Sequence, residues 1–368
     1  MLDYKLKKYA ELLLKYSLKI KSKEKLIIKG ELATLHMIRV VYKVALELGA
    51  FPEIQIIDTR TEEILFRNGN TDQLKYIPEH LVKSVEDADA MLSLLGDTNT
   101  SIFDNIDNNK IDLALQGYYS YSKVFTERIR AKKLRWIQAI CPTEANAQEL
   151  KMSYSDYENL IYAASYINLE HPINKWVEIH REQERLIKVL SAKRKIKLST
   201  NNIDLKMGLE GRKWKHCSGQ QQMFPGGELS CAPVETSVDG YIEFNQPAFF
   251  NGNRIEGVKL RFENGHITEA KADYGQSYLD EFLSIDKGAS FVGGISFGTN
   301  TSLKHYSLNQ TIDEKIAGNL QIILGRSIDH VGGKNKSAGQ LKLLTSFSKN
   351  SSVYSDGRLI FSNGRFLI

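Results

Sequence analysis

The chain has 368 residues, 42% of them hydrophobic and 25% charged, enough to bury a sizeable core and, by length, to divide into two domains. Its three cysteines, Cys141, Cys217 and Cys231, lack CxxC spacing, which argues against a disulfide framework or a thiolate zinc site and favours a reducing cytoplasm. With 49 basic and 44 acidic residues spread along the chain, the net charge of +5 calls for neither nucleic acid nor a charged surface as partner.

The opening residues Met1 to Lys8 carry charges throughout and do not read as a signal peptide. From Asp3 to about Leu18, Leu and Tyr recur at helical spacing. Lys25 to Lys29 reads as a short buried strand, Thr34 to Leu48 as a helix, and Phe51 to Asp58 as a strand again, which is βαβ wiring. Further strands are expected at Ala90 to Leu95, before Gly96-Asp97, and at Leu134 to Ile140, before Cys141-Pro-Thr143. Turns after the carboxyl ends of parallel strands are where α/β folds place ligands, but no phosphate-binding glycine spacing is present. Tyr157 to Ala192 is largely helical and closes the first domain. No apolar run approaches the ~20 residues of a membrane helix.

From about Lys197 the pattern changes to short strands separated by glycine turns, with helices expected at Ser277 to Leu283 and Asp313 to Leu324. The expected architecture is therefore α/β: an N-terminal α/β domain with a parallel sheet over residues 1–195, and a C-terminal mixed, β-rich α/β domain carrying the cleft over residues 196–368. The basic clusters Lys193 to Lys195 and Arg212 to His216 read as a solvated helix end and a loop edge, since no wider basic field surrounds them.

Chemistry concentrates in the second half. Phe224-Pro-Gly-Gly-Glu228 sets a carboxylate directly after a tight turn, and Ala232-Pro-Val-Glu235 offers a second one seven residues later. Glu228 and Glu235 together suit acid and base roles or a hard cation; the alternative is two strand-edge carboxylates facing water. Gly293 to Asn300 reads as a glycine-punctuated strand and turn, and Gly332 to Ser337 as a glycine-rich basic loop. None of the eight histidines falls into an HxH, HxD or HExxH pair, so no two of them share a metal by spacing. His216 beside Cys217 is not a thiol–base pair by adjacency, because neighbours in a strand face opposite sides.

The ordered segments Trp136 to Thr143, Pro225-Gly-Gly-Glu228, Pro233-Val-Glu235 with Asp239-Gly240, Gly298-Thr-Asn300, Asp313-Glu-Lys-Ile-Ala-Gly318 and Gly332 to Ala338 resemble the thermophilic aminopeptidase family of aminopeptidases T and S. The resemblance implies a two-domain fold, two divalent metals in the C-terminal domain and a homodimer. It also implies five metal ligands. The first is retained as Glu228. A second glutamate, expected in a Gly-Glu-x-x-x-Gly-Thr-Asn pattern, is Gly294 here. A histidine expected three residues after the glycine of the Glu-Lys-Ile-x-Gly helix is Gln321, and the expected His-x-Asp pair is Gln340-Leu-Lys342. A tyrosine expected nearby is Ile328.

These replacements remove two imidazoles and two carboxylates and add a cation, so the expected metal and cofactor complement is none. Lys342 is expected to pair with Glu228 in place of the metal charge. The expected function is that of a cytoplasmic, aminopeptidase-like protein without a dinuclear centre. It would bind or transform a peptide or amino-acid-like small molecule, with Glu228 and Glu235 in catalytic positions and Gln321, Gln340 and Lys342 lining the ligand site. A working metallo-aminopeptidase with a rearranged site and a non-catalytic dimeric subunit are the alternatives. Ring-cleaving iron dioxygenase chemistry, on a similar scaffold, is disfavoured by the missing His-x-Asp. Beyond the ligand, the expected partner is a second copy of the chain, not nucleic acid or membrane.

Overall fold

The computed structural model describes residues 4–220, 222–328 and 330–368. The chain forms two compact units. One comprises Met1–Trp176 with Gly219–Pro225, the other Val177–Ser218 with Gly226–Ile368. The division falls inside the helix Pro172–Leu190, ahead of the boundary expected at residue 195, and the first unit takes back a short segment from beyond it.

The first unit holds a five-stranded sheet in the order Phe51–Ile57, Lys25–Glu31, Ala90–Leu95, Arg135–Ile140, Gln222–Phe224. Every pairing is parallel. Leu26, Ile27 and Ile28 are consecutive and all buried, as a parallel strand covered on both faces requires. The expected helices form at Tyr4–Glu11, continued by a π-turn over Leu12–Ser17, and at Leu35–Glu47. The strand order reverses next to Lys25–Glu31. There the buried Glu31 accepts hydrogen bonds from Thr98 N at 2.7 Å and from the Thr59 hydroxyl. The turns after Leu95 and Ile140 are tied together: Thr143 caps the helix Glu144–Glu149, and Asn146 accepts from Asp97 N at 3.0 Å.

The second unit contains an eight-stranded sheet and a five-stranded antiparallel sheet. The smaller sheet runs Gln340–Ser346, Asn319–Gly325, Val292–Gly298, Glu228–Cys231, Lys215–Cys217. Leu198, Leu205, Ile242 and Val353 from the larger sheet share one core with Leu229, Ile295, Phe297, Ile322 and Leu343 from the smaller. Phe297 lies within ring-contact distance of Trp214, Phe347, Phe361 and Phe366.

One expected element is corrected. The helix predicted from Asp313 to Leu324 is a single turn at Gln310–Asp313, and Asn319–Gly325 is a strand. Gly318, at φ +85°, reverses the chain between them, and Leu320, Ile322 and Leu324 then alternate into the core with period two. The helix at Ser277 to Leu283 forms as Gln276–Ser284.

All three cysteines are free and buried. Burial pushes the Cys141 and Cys231 thiols up to about 12, so neither is an activated nucleophile. No helix among the described residues is long and apolar enough to cross a membrane. Phe297→Ala should lower the unfolding free energy by about 3–5 kcal/mol through cavity formation, seen as a depressed thermal midpoint; a midpoint unchanged from wild type would show that this shared core does not hold the second unit together.

Candidate functional site

The five-stranded antiparallel sheet has one apolar and one polar face, and alternation assigns each residue to its side. Leu229, Ile295, Phe297, Leu320, Ile322, Leu341 and Leu343 point into the core. The pairings Glu228 with Gly298, Ser230 with Ser296, Ser296 with Gln321, and Ile323 with Lys342 line up the opposite face. Glu228, Gln321, Lys342 and the Gly294 position therefore share one side of one sheet.

Three motif segments converge beside this face. Asn300 N donates to Lys315 O at 2.8 Å, Ala317 N donates to Asn300 O at 3.0 Å, and the Asn300 side chain donates to Gly226 O at 3.2 Å. The approach is close enough to need glycine: a Cβ on Gly298 would lie 2.0 Å from Ile316 O, and one on Gly227, at φ +129°, would lie 2.6 Å from the Asn300 Cβ. Asp313 fixes the preceding turn by accepting from Ser307 N at 2.8 Å and Leu308 N at 2.9 Å. Glu314 and Lys315 are thereby delivered, buried, to the polar face.

The result is an ion-pair network. Lys315 Nζ donates to Glu228 Oε2 at 2.9 Å and to Glu314 Oε1 at 3.0 Å. Glu314 Oε2 accepts from Lys342 Nζ and from Gln321 Nε2, both at 2.8 Å. Side-chain exposure rises from 1% at Lys315 through 8% at Glu314 and 16% at Glu228 to 36% at Lys342, so Lys342 is the member that reaches furthest towards the surface. Burial raises the Glu228 carboxyl above its usual range, with Lys315 opposing. Burial also works against the charge of Glu314, but Lys315, Lys342 and the Gln321 amide outweigh it and hold that carboxyl at about 2. Burial disfavours the Lys315 ammonium too, and the two carboxylates more than compensate, keeping it protonated.

The structure brings Glu228, Gln321 and Lys342 together but revises their pairing. Lys342 bonds Glu314, and the partner of Glu228 is Lys315. Gln321 lies on a strand and not on a helix. Gln340 shares the Lys342 strand, yet its side chain donates to Arg326 O at 2.9 Å. Glu235 stands outside the network: it pairs with Arg212 at 2.5 Å and accepts from Lys334 N at 2.6 Å, holding the glycine-rich basic loop. At the Gly294 position a Cβ would meet Ile328 Cδ1 at 2.3 Å, so the isoleucine fills the space a longer side chain would enter. Sequence reasoning missed Glu314 and Lys315, because an Asp-Glu-Lys triplet ordinarily marks a solvated turn. The signal available was their place in the Asp313 to Gly318 segment.

A two-unit α/β chain with a polar sheet face built from these segments defines an aminopeptidase-type scaffold. The chain belongs to the thermophilic metalloprotease family (M29), whose profile matches residues 2–356. It is 22% identical over 366 residues to aminopeptidase AmpS of Bacillus subtilis, covering 92% of this chain and 88% of that protein. It is 24% identical over 345 residues to aminopeptidase 2 of Geobacillus stearothermophilus, covering 87% and 83%. Among solved structures, wild-type AmpT from Thermus thermophilus matches with a TM-score of 0.82 at 20% identity, covering 99% of each chain. A 2,5-dihydroxypyridine dioxygenase from Pseudomonas putida KT2440 shares the fold at a TM-score of 0.59 and 15% identity, covering 98% of this chain and 96% of that one.

Glu314 is the shared acceptor, so Glu314→Ala should destabilise the protein by about 3–5 kcal/mol, measured by chemical denaturation. A carboxyl held at about 2 against an ordinary 4.5 contributes stability that is present above 4.5 and lost as pH falls towards 2. The stability gap between wild type and Glu314→Gln should therefore shrink over that window; a gap independent of pH would show that the Glu314 charge is not what the network uses.

Proposed function

We propose that this chain is a metal-independent member of its family that binds a peptide- or amino-acid-like ligand at the polar face around Glu228, Gln321 and Lys342. The observation that carries the reading is the Lys315 ammonium bonded to both Glu228 and Glu314. A pair of divalent cations needs anionic or neutral donors, and here two ammonium groups already engage the two carboxylates and balance their charge. The Gln321 amide is turned to Glu314, and Ile328 fills the space beside Gly294. This donor set does not suit the metals of the family.

Lys342 supplies a partly exposed ammonium for a ligand carboxylate. Glu228, its carboxyl raised by burial, is the group suited to accept a ligand amine or exchange a proton with it. Glu235 serves the loop that it anchors. The expected setting is the cytoplasm, and the expected protein partner is a second copy of the chain.

Aminoacyl chromogenic substrates with added zinc, cobalt or manganese should give no metal-dependent turnover, and the purified protein should retain no metal whose binding depends on Glu228. About two metals per chain with turnover that follows them would establish a working metallo-aminopeptidase instead. Short peptides should raise the thermal midpoint of the wild type and not of Lys342→Ala; at a hundredfold excess over Kd the gain is about 2.7 kcal/mol. Equal stabilisation of both proteins would place the ligand elsewhere.

A further inference from the structure

Away from the network, the second unit carries another group of ligand-type side chains. His180 and Glu184 lie one turn apart on the helix Pro172–Leu190, and His216 lies on Lys215–Cys217, the edge strand of the five-stranded antiparallel sheet. One ligand atom from each falls within 4.8 Å of the other two. His180 Nε2 is 3.5 Å from Glu184 Oε1, close to the ~3.3 Å that separates neighbouring donors around a tetrahedral zinc ion. We propose that His180, Glu184 and His216 form a mononuclear site for a first-row divalent cation of the zinc class, clamping the helix to the edge strand.

Two further observations point to a ligand. The His216 Nδ1 atom is buried and has no hydrogen-bond partner, an uncommon state for a ring nitrogen. His180 Nδ1 bonds Ser218 Oγ at 2.9 Å, which orients the ring and leaves Nε2 facing Glu184, as an outer-shell partner does for a metal-bound imidazole. Two imidazoles and one carboxylate suit zinc, cobalt or nickel better than calcium or magnesium. Glu184 is 61% exposed, so the fourth position opens to water or to a small donor. His216 also alternates away from Cys217, whose register partner is Glu228, so this site lies on the other side of the strand from the ion-pair network.

The test is zinc binding to the full chain by calorimetry, with cobalt absorption as a second readout. Wild type and Glu228→Gln should each bind one equivalent. His216→Ala should lose it, and Glu184→Gln, an exposed change that spares the fold, should bind at least about tenfold more weakly; Ser218→Ala should weaken binding by about 10–100-fold. No binding to wild type, or equal binding by wild type and Glu184→Gln, overturns the proposal. Loss in Glu228→Gln alone overturns it and the metal-independent reading together.

Discussion

The buried Lys315 ammonium is the constraint on which the site depends. Removing such a group from water carries a penalty of several kcal/mol unless opposite charges meet it at hydrogen-bond distance. Glu228 arrives on a strand and Glu314 from the adjoining turn, and both must be fixed before the lysine is tolerable. The close approaches at Gly227 and Gly298, the Asn300 clamp and the Asp313-capped turn are the backbone conditions that fix them. Lys342 then completes a neutral set of two carboxylates and two ammonium groups.

Much of the scaffold was legible in the sequence. Strands such as Ala90–Leu95 announce themselves as short apolar runs ended by turn residues, and a parallel sheet follows from their alternation with helices. Asn319–Gly325 was not legible, because Leu320, Ile322, Ile323 and Leu324 form an apolar run too short for periodicity to separate helix from strand, and the deciding feature is the positive φ of Gly318. On the polar face, the resemblance singled out Glu228, Gln321 and Lys342, whose common side depends on register. The choice of partners was beyond reach: whether Lys342 meets Glu228 or Glu314 is set by the turn that follows Asp313, and burial of Glu314 and Lys315 contradicts what their types ordinarily do.

The two faces of the small sheet divide the work of the second unit. Its inner residues join the shared apolar core, which fixes the strand register, and that register brings Ser230, Ser296 and Gln321 into one row. A slip of one residue would exchange core and site side chains on that strand, so the same packing that stabilises the unit also specifies the site.

The positions at which the resemblance implies metal ligands are also interlocked. A glutamate at position 294 would have to displace Ile328, whose methyl lies where its Cβ would begin. An imidazole at position 321 would give up the amide bond to Glu314 and stand beside the Lys342 ammonium that shares the same carboxylate oxygen. A carboxylate at position 342 would remove one of the two ammonium groups that Glu314 engages and add a negative charge to a set that is now balanced. Each single change thus opposes its neighbours, and the network is a self-consistent arrangement of charge on the sheet face, with every member's partner set by the others.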